Sequence, residues 1–235
     1  MNPDPANIAS KPPAKRPASF NRESRKDRRE RAAAIVTTLE SHYPGVDCTL
    51  DFAGPHQLLV GAILAAQCTD ARVNLITPAL FSRYPSPLAF AQADRAELES
   101  LIRSCGLFRN KAKAIQASSQ AIVEHFGGEV PRTREALLQL PGVGRKIANL
   151  ILGDSFGEQA VVVDTHCMRI SRLLGLTDQR DPVAIERDLI AVLPPDKYTL
   201  FGHLMVTLGR DICIARRPDC QRCPVKPLCT HGRTA

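Results

Sequence analysis

One pattern narrows the folds open to this chain more than any other. Apolar residues recur at helical spacing through its middle, and the alternation of a half-buried strand is almost missing. Asn21 to Arg31 can begin a helix that Arg31 to His42 continues, with Ile35, Val36 and Leu39 on one face and Pro44-Gly45 as its stop. Gly54-Pro55 opens His56 to Gln67, and Thr69 caps a helix toward Tyr84 that Pro78 should kink or restart. Asp94 with Glu97 reads as a capping box, and Gly106 as its helix's stop. Ala112 to Phe126 ends at Gly127-Gly128; Asp181-Pro182 opens a run to Leu193; a last helix spans about Tyr198 to Arg210. Only Ala160 to Val163 looks strand-like, and four residues are too few to build a sheet. The expected fold is all-α.

Charge locates the interesting ends. The 235 residues are 44% hydrophobic and 23% charged, which excludes wholesale disorder, collagen and a disulfide miniprotein. The net charge of +7 is uneven: residues 1–31 carry +5, residues 210–235 carry +4, and the middle carries −2. A basic chain favours an acidic partner, nucleic acid first. Residues 1–24 are basic, proline-rich and poor in aliphatic side chains, so they are expected to stay disordered, either as a solubilising tail or as an arm on DNA. Asp4, Glu23 and the prolines argue against a transit peptide. No apolar run reaches the roughly 20 residues of a membrane span, and Met1 to Phe20 has no secretory apolar core. A cytoplasmic protein, beside the nucleoid if bacterial, is expected. There, eight cysteines point to a metal or to reduced thiols rather than disulfides.

Leu137 to Leu150 contains a short apolar helix, a Pro141-Gly142-Val143-Gly144 turn, and a second helix opening at Arg145-Lys146. Glycines there let backbone N–H groups approach a ligand at a helix start, where an anion is favoured. A nucleic-acid phosphate is the natural occupant, which makes Gly142, Val143, Gly144 and Arg145 candidate DNA contacts; an ordinary glycine-capped corner is the plainer alternative. Lys146 stands in that helix's first turn, a poor place for a cation. It reads either as a phosphate contact or as a nucleophile, since a helix N-terminus and partial burial both favour the neutral, attacking amine. Asp164 follows eighteen residues later in Val161-Val162-Val163-Asp164-Thr165-His166, as a helix cap that can also serve chemistry. His166 reads as a packed histidine before it reads as a proton shuttle.

Four cysteines close the chain as Cys213-x6-Cys220-x2-Cys223-x5-Cys229, a spacing that can converge on one metal centre. Zinc suits four thiolates, and the spacing matches neither common ferredoxin pattern, so chemistry alone leaves the metal open. Arg216, Arg217, Arg222 and Lys226 lie among these ligands, consistent with a metal-held basic loop. Cys48, Cys68, Cys105 and Cys167 are expected to be isolated buried thiols.

The hairpin, the Val-Asp-Thr-His segment and the cysteine loop, in this order, resemble the endonuclease III family of DNA glycosylases over about residues 25 to 230. The resemblance implies two lobes with damaged double-stranded DNA across the cleft between them. One is a six-helix barrel containing the helix–hairpin–helix, 48–158; the other joins 25–47 to 159–235. It implies that Cys213, Cys220, Cys223 and Cys229 hold a [4Fe–4S] cluster. It also implies that a monomeric enzyme flips a damaged base out of the stack, and that Lys146 attacks C1′ while Asp164 assists. Removal of oxidised pyrimidines and strand cutting by β-elimination would follow, whereas the adenine-mismatch branch generally lacks this lysine. Gln67, in Ala65-Ala66-Gln67-Cys68-Thr69-Asp70, resembles the residue that fills the hole left by the flipped base, and Leu107 the apolar wedge opposite.

Cys68, Ile147 and Leu208 depart from the commoner family residues, with Ile147 beside the nucleophile bearing on pocket shape and substrate range. The alternatives are a glycosylase that releases mismatched or otherwise modified bases without cutting, and a catalytically silent DNA-binding paralogue.

Overall fold

The structure, a computed structural model, describes residues 23–234. All but the last two residues of the tail expected over 1–24 therefore lie outside the described residues. Eleven α-helices account for the fold, and no strand occurs among the described residues. They are α1 Arg25–His42, α2 Pro55–Leu64, α3 Asp70–Arg83, α4 Pro87–Ala91, α5 Arg95–Leu101, α6 Phe108–Phe126, α7 Arg134–Leu137, α8 Arg145–Phe156, α9 Thr165–Leu173, α10 Pro182–Ile190 and α11 Tyr198–Asp211.

Local chemistry sets most boundaries. Ser24, Thr69, Ser86, Asp94, Thr133, Asp164 and Asp181 each accept a backbone N–H at a helix start. Four expectations change. The second helix stops at Leu64 rather than Gln67, because Gln67 adopts a left-handed φ of 55°. The third runs through Pro78 without restarting. Only half of the Asp94 capping box forms: Asp94 accepts from Glu97 N, but the Glu97 carboxylate binds Arg83 at 2.6 and 2.8 Å and Tyr84 instead of returning. The run from Asp181 ends at Ile190, after which Val192 and Leu193 turn inward.

Two separate apolar cores result. One gathers Leu58, Leu64, Phe90, Ile115, Leu137 and Ile151 among residues 50–160. The other joins Ile35 and Leu39 of α1 to Val161, Ile170, Leu189, Phe201 and Leu208. The chain passes from one core to the other between Ala160 and Val161, so the strand-like run is an extended crossing. Arg31 fastens α1 to the C-terminal region through the carbonyls of Leu174 (2.6 Å), Leu228 (2.9 Å) and Gly175 (3.1 Å). No described helix is long and apolar enough to cross a membrane.

Candidate active site

The hairpin begins where α7 ends. Gly142 has a φ of +82°, and a Cβ on it would lie 2.7 Å from Cβ of Ala114, so glycine is required twice over. Val143 is buried and donates its N–H to Leu140 O, which points the turn's apolar side inward. Gly144 is the N-cap of α8 and supplies no side-chain acceptor, and the first turn holds no acidic residue. Its orphan N–H groups are thus left for an outside anion. Lys146 is exposed, which corrects the expectation of partial burial: the amine stands accessible, two residues past an open helix end.

Asp164 is half-buried and caps α9, its Oδ1 accepting the Cys167 N–H at 2.7 Å. Cap and cleft residue prove to be one position. Lys146, Ile147, Asp164 and His166 line a single cavity of about 230 Å³, joined by Asp70 from α3 and Arg210 from α11. Arg210 Nη2 reaches Asp70 Oδ2 at 2.7 Å, and Thr49 Oγ1 donates to the same oxygen. Burial pushes the Asp70 carboxyl up, yet hydrogen bonds from Arg210 and Thr49 and the charges of Arg210 and Lys146 leave it below its ordinary value. His166 is held below the ordinary imidazole value, first by burial, against the pull of Asp164. Its Nδ1 finds no hydrogen-bond partner among the described residues, and its ring packs on Gly209, where any Cβ would collide with it.

The Arg145 side chain is engaged by a residue on a helix of the second core. Its guanidinium grips Glu186 of α10 with Nε–Oε2 at 2.5 Å and Nη2–Oε1 at 3.0 Å, and Arg134 stands 3.9 Å from the same carboxylate. The Glu186 side chain is 3% exposed, against 39% for Arg145 and 30% for Arg134, so in this clasp between the cores the carboxylate is shielded and the guanidinium groups still meet water. Arg134 also donates to Asn149, whose Nδ2 holds Val161 O at 2.8 Å, three residues before Asp164. Nothing in local sequence marks Glu186, since an acid in a helix beginning at an Asp-Pro cap reads as a solvated face.

Gln67 and Leu107 are exposed, and they are the non-glycine residues with positive φ among those described, at 55° and 46°. Such a conformation costs on the order of 1 kcal/mol or more and persists only where the surroundings enforce it. Buried Lys111 ties the two segments together, donating from one ammonium to Leu64 O (2.8 Å) and Cys105 O (2.7 Å), just ahead of both residues. Desolvation lowers its pKa. The structure also corrects the picture of isolated thiols. Cys48 and Cys68 are only half-buried, and Cys68 neighbours buried Cys105, whose thiol burial pushes up to about 11. Cys68 and Ile147 line the cleft, whereas Leu208 is buried in the second core and faces the C-terminal cysteines.

Those cysteines line one apolar cavity with Ile170, Leu173, Leu208, Ile212 and Val225. Gly232 N donates to Cys229 Sγ at 3.3 Å, and Arg169 Nη1 to Cys213 Sγ at 3.5 Å. Burial, followed by repulsion from the other thiols, raises Cys223 and Cys229 even though backbone N–H groups stabilise their thiolates. Four cysteines around one apolar cavity, with donors on Cys213 and Cys229, suit a thiolate-ligated metal centre.

Residues 60–195 match the family model described as HhH-GPD superfamily base excision DNA repair protein. Endonuclease III of Synechocystis sp. is 51% identical over 209 residues, covering 88% of this chain and 95% of that protein. Endonuclease III of Bacillus subtilis is 42% identical, covering 81% and 88%. Among solved structures, a trapped endonuclease III–DNA covalent intermediate and a non-covalent endonuclease III–DNA complex each superpose with a TM-score of 0.82 at 37% identity, covering 90% of this chain and 98% of that one. By its hairpin, its two cores and these likenesses, the chain belongs to the endonuclease III family within the HhH-GPD superfamily.

Proposed function

We propose that this chain is a bifunctional DNA N-glycosylase and abasic-site lyase of base excision repair, acting in the cytoplasm as a monomer on oxidised pyrimidines in duplex DNA. The observation that carries the reading is one cleft lined by both Lys146, an exposed amine at an uncapped helix start, and Asp164, a half-buried carboxylate. The division into lobes at 48–158 and at 25–47 with 159–235 belongs to the same proposal, supported by the two cores that meet at the crossing.

DNA phosphates would sit on the hairpin N–H groups of Gly142 to Arg145, which position the strand without reading it. Gln67 and Leu107, held rigidly at exposed positions, would fill the space of the extruded nucleotide, because stacking is lost when a base is flipped. The Lys146 Nζ lone pair attacks C1′; the C1′–N bond breaks and its electron pair leaves with the base. Asp164 accepts the amine's proton and opposes the positive charge that develops on the sugar. Ring opening gives a Schiff base at C1′. Loss of a C2′ proton then expels the 3′ phosphate by β-elimination, and water releases Lys146. The four C-terminal cysteines would hold a [4Fe–4S] cluster, which supplies folding stability and a fixed basic loop with exposed Arg216 and Arg217.

Borohydride added during reaction with an abasic-site duplex should trap a covalent protein–DNA adduct. Lys146→Ala should lose it by at least about a thousandfold. An adduct that survives Lys146→Ala removes this lysine from the mechanism, and base release without strand cutting in the wild type removes the lyase.

A further inference from the structure

A second set of ligand-type side chains has no part in the chemistry above: Asp47 and His203 line the same cleft, and buried Asp154 is bonded to His203. Asp47 comes from the loop before α2, Asp154 from α8 and His203 from α11, and one ligand atom of each lies within 4.8 Å of the other two. Gly153 makes this meeting possible, since a Cβ there would lie 2.6 Å from Thr199 Oγ1 and push α8 off α11. His203 Nε2 is 2.7 Å from Asp154 Oδ1. The Asp154 side chain is only 4% exposed, and its Oδ2 has no hydrogen-bond partner among the described residues. Asp47 is exposed, and its Oδ1 is fixed by the Cys48 N–H at 2.7 Å.

Hydrogen bonding alone leaves this group unsatisfied. A bare buried carboxylate oxygen is costly, and a second carboxylate beside it adds repulsion. One imidazolium neutralises one of the two negative charges and leaves Oδ2 without a donor. A dication balances both carboxylates and gives Oδ2 a partner. Two carboxylate oxygens and an imidazole nitrogen form a donor set suited to zinc or manganese, and the His203 Nε2–Asp154 Oδ1 hydrogen bond of 2.7 Å would open to about 3 Å as both atoms turn to the ion.

We propose that Asp47, Asp154 and His203 form a binding site for one divalent first-row transition cation, set in the wall of the DNA cleft. The ion would tie α8, the helix that carries Lys146, to α11 and to the loop before α2. It would also remove a patch of negative charge from a surface that phosphates approach.

The test uses the full chain with its cluster intact, judged by visible absorbance, after chelator treatment. Titration with Mn2+, followed by the paramagnetic resonance of the free ion, should give one bound equivalent in the wild type. Asp154→Asn should weaken that binding at least tenfold, while surface Asp196→Asn leaves it unchanged. Asp47→Asn, at an exposed position, gives the same readout should Asp154→Asn fail to fold. Zn2+ should raise Tm in the wild type and not in Asp47→Asn. Absence of binding at millimolar Mn2+, or equal binding by wild type and both variants, overturns the site. None of these readouts depends on base removal, so they stand or fall apart from the glycosylase reading.

Discussion

The two helix starts that meet in the cleft are built on opposite plans. Helix α9 opens with Asp164, whose carboxylate satisfies the Cys167 N–H and suits the positive end of a helix. Helix α8 opens with Gly144, has no side-chain cap and no acid, and places Arg145 and Lys146 in its first turn. By local rules α9 is well made and α8 badly made. The fault in α8 is compensated from outside: Arg145 is drawn off to Glu186, and Asn149 ties the helix to Val161. A phosphate-binding start must keep its N–H groups free, so its stability comes from side chains that point away from the site.

The sharpest way to break this comparison is to separate the two duties of Asp164. Asn caps a helix about as well as Asp but neither takes a proton nor opposes a positive charge. Asp164→Asn should therefore lower single-turnover base release by about 10²–10⁴-fold with little change in Tm. Asp164→Ala should lose activity similarly and also about 1 kcal/mol of stability. If Asp164→Asn keeps near-normal turnover, the carboxylate is a cap and nothing more.

Glu186 probes the other helix start. Glu186→Gln leaves the partly exposed Arg145 and Arg134 without their shared counter-charge, and about 1 kcal/mol of stability should go, a figure kept small because water screens both guanidinium groups. Urea unfolding reads this as a lower midpoint at unchanged slope. A wild-type midpoint would mean that the hairpin is held by its apolar side alone.

What could be foreseen from the residues follows the same division. Helices with side-chain caps, such as those at Thr69, Asp94 and Asp181, announced themselves, because a cap and an apolar stripe are local properties. Lys146 stood out because it violates a helix rule, and Asp164 was legible as a cap; their pairing in one chemistry came from the family resemblance and not from local rules. Glu186, Asp154 and Lys111 were not legible, because each is defined by a partner on another element. Lys111 sits in α6 like any helical lysine, yet its ammonium ends up buried on two carbonyls. The end of α2 was missed similarly: nothing in Ala65-Ala66-Gln67 signals a left-handed residue, which tertiary contacts impose. Leu208 stood out only as a departure from the commoner family residue, and its place against the cysteines comes from the fold.

The finest test gives α8 the cap it lacks. Gly144 has an extended backbone, φ −96° and ψ 176°, and a Cβ on it would meet nothing within 4 Å, so serine fits without strain. Its hydroxyl can accept one of the free N–H groups, as Thr69 and Asp164 do at their own helices. Gly144→Ser should raise stability by a few tenths of a kcal/mol. The same hydroxyl occupies a donor that a phosphate would use, so affinity for an abasic-site duplex should fall several-fold, most clearly at low salt. Opposite signs in a melting experiment and a binding titration on one variant are the signature of a helix end kept open for a ligand. If stability and affinity rise together, the start of α8 is only an unfinished helix, and the anion site lies elsewhere.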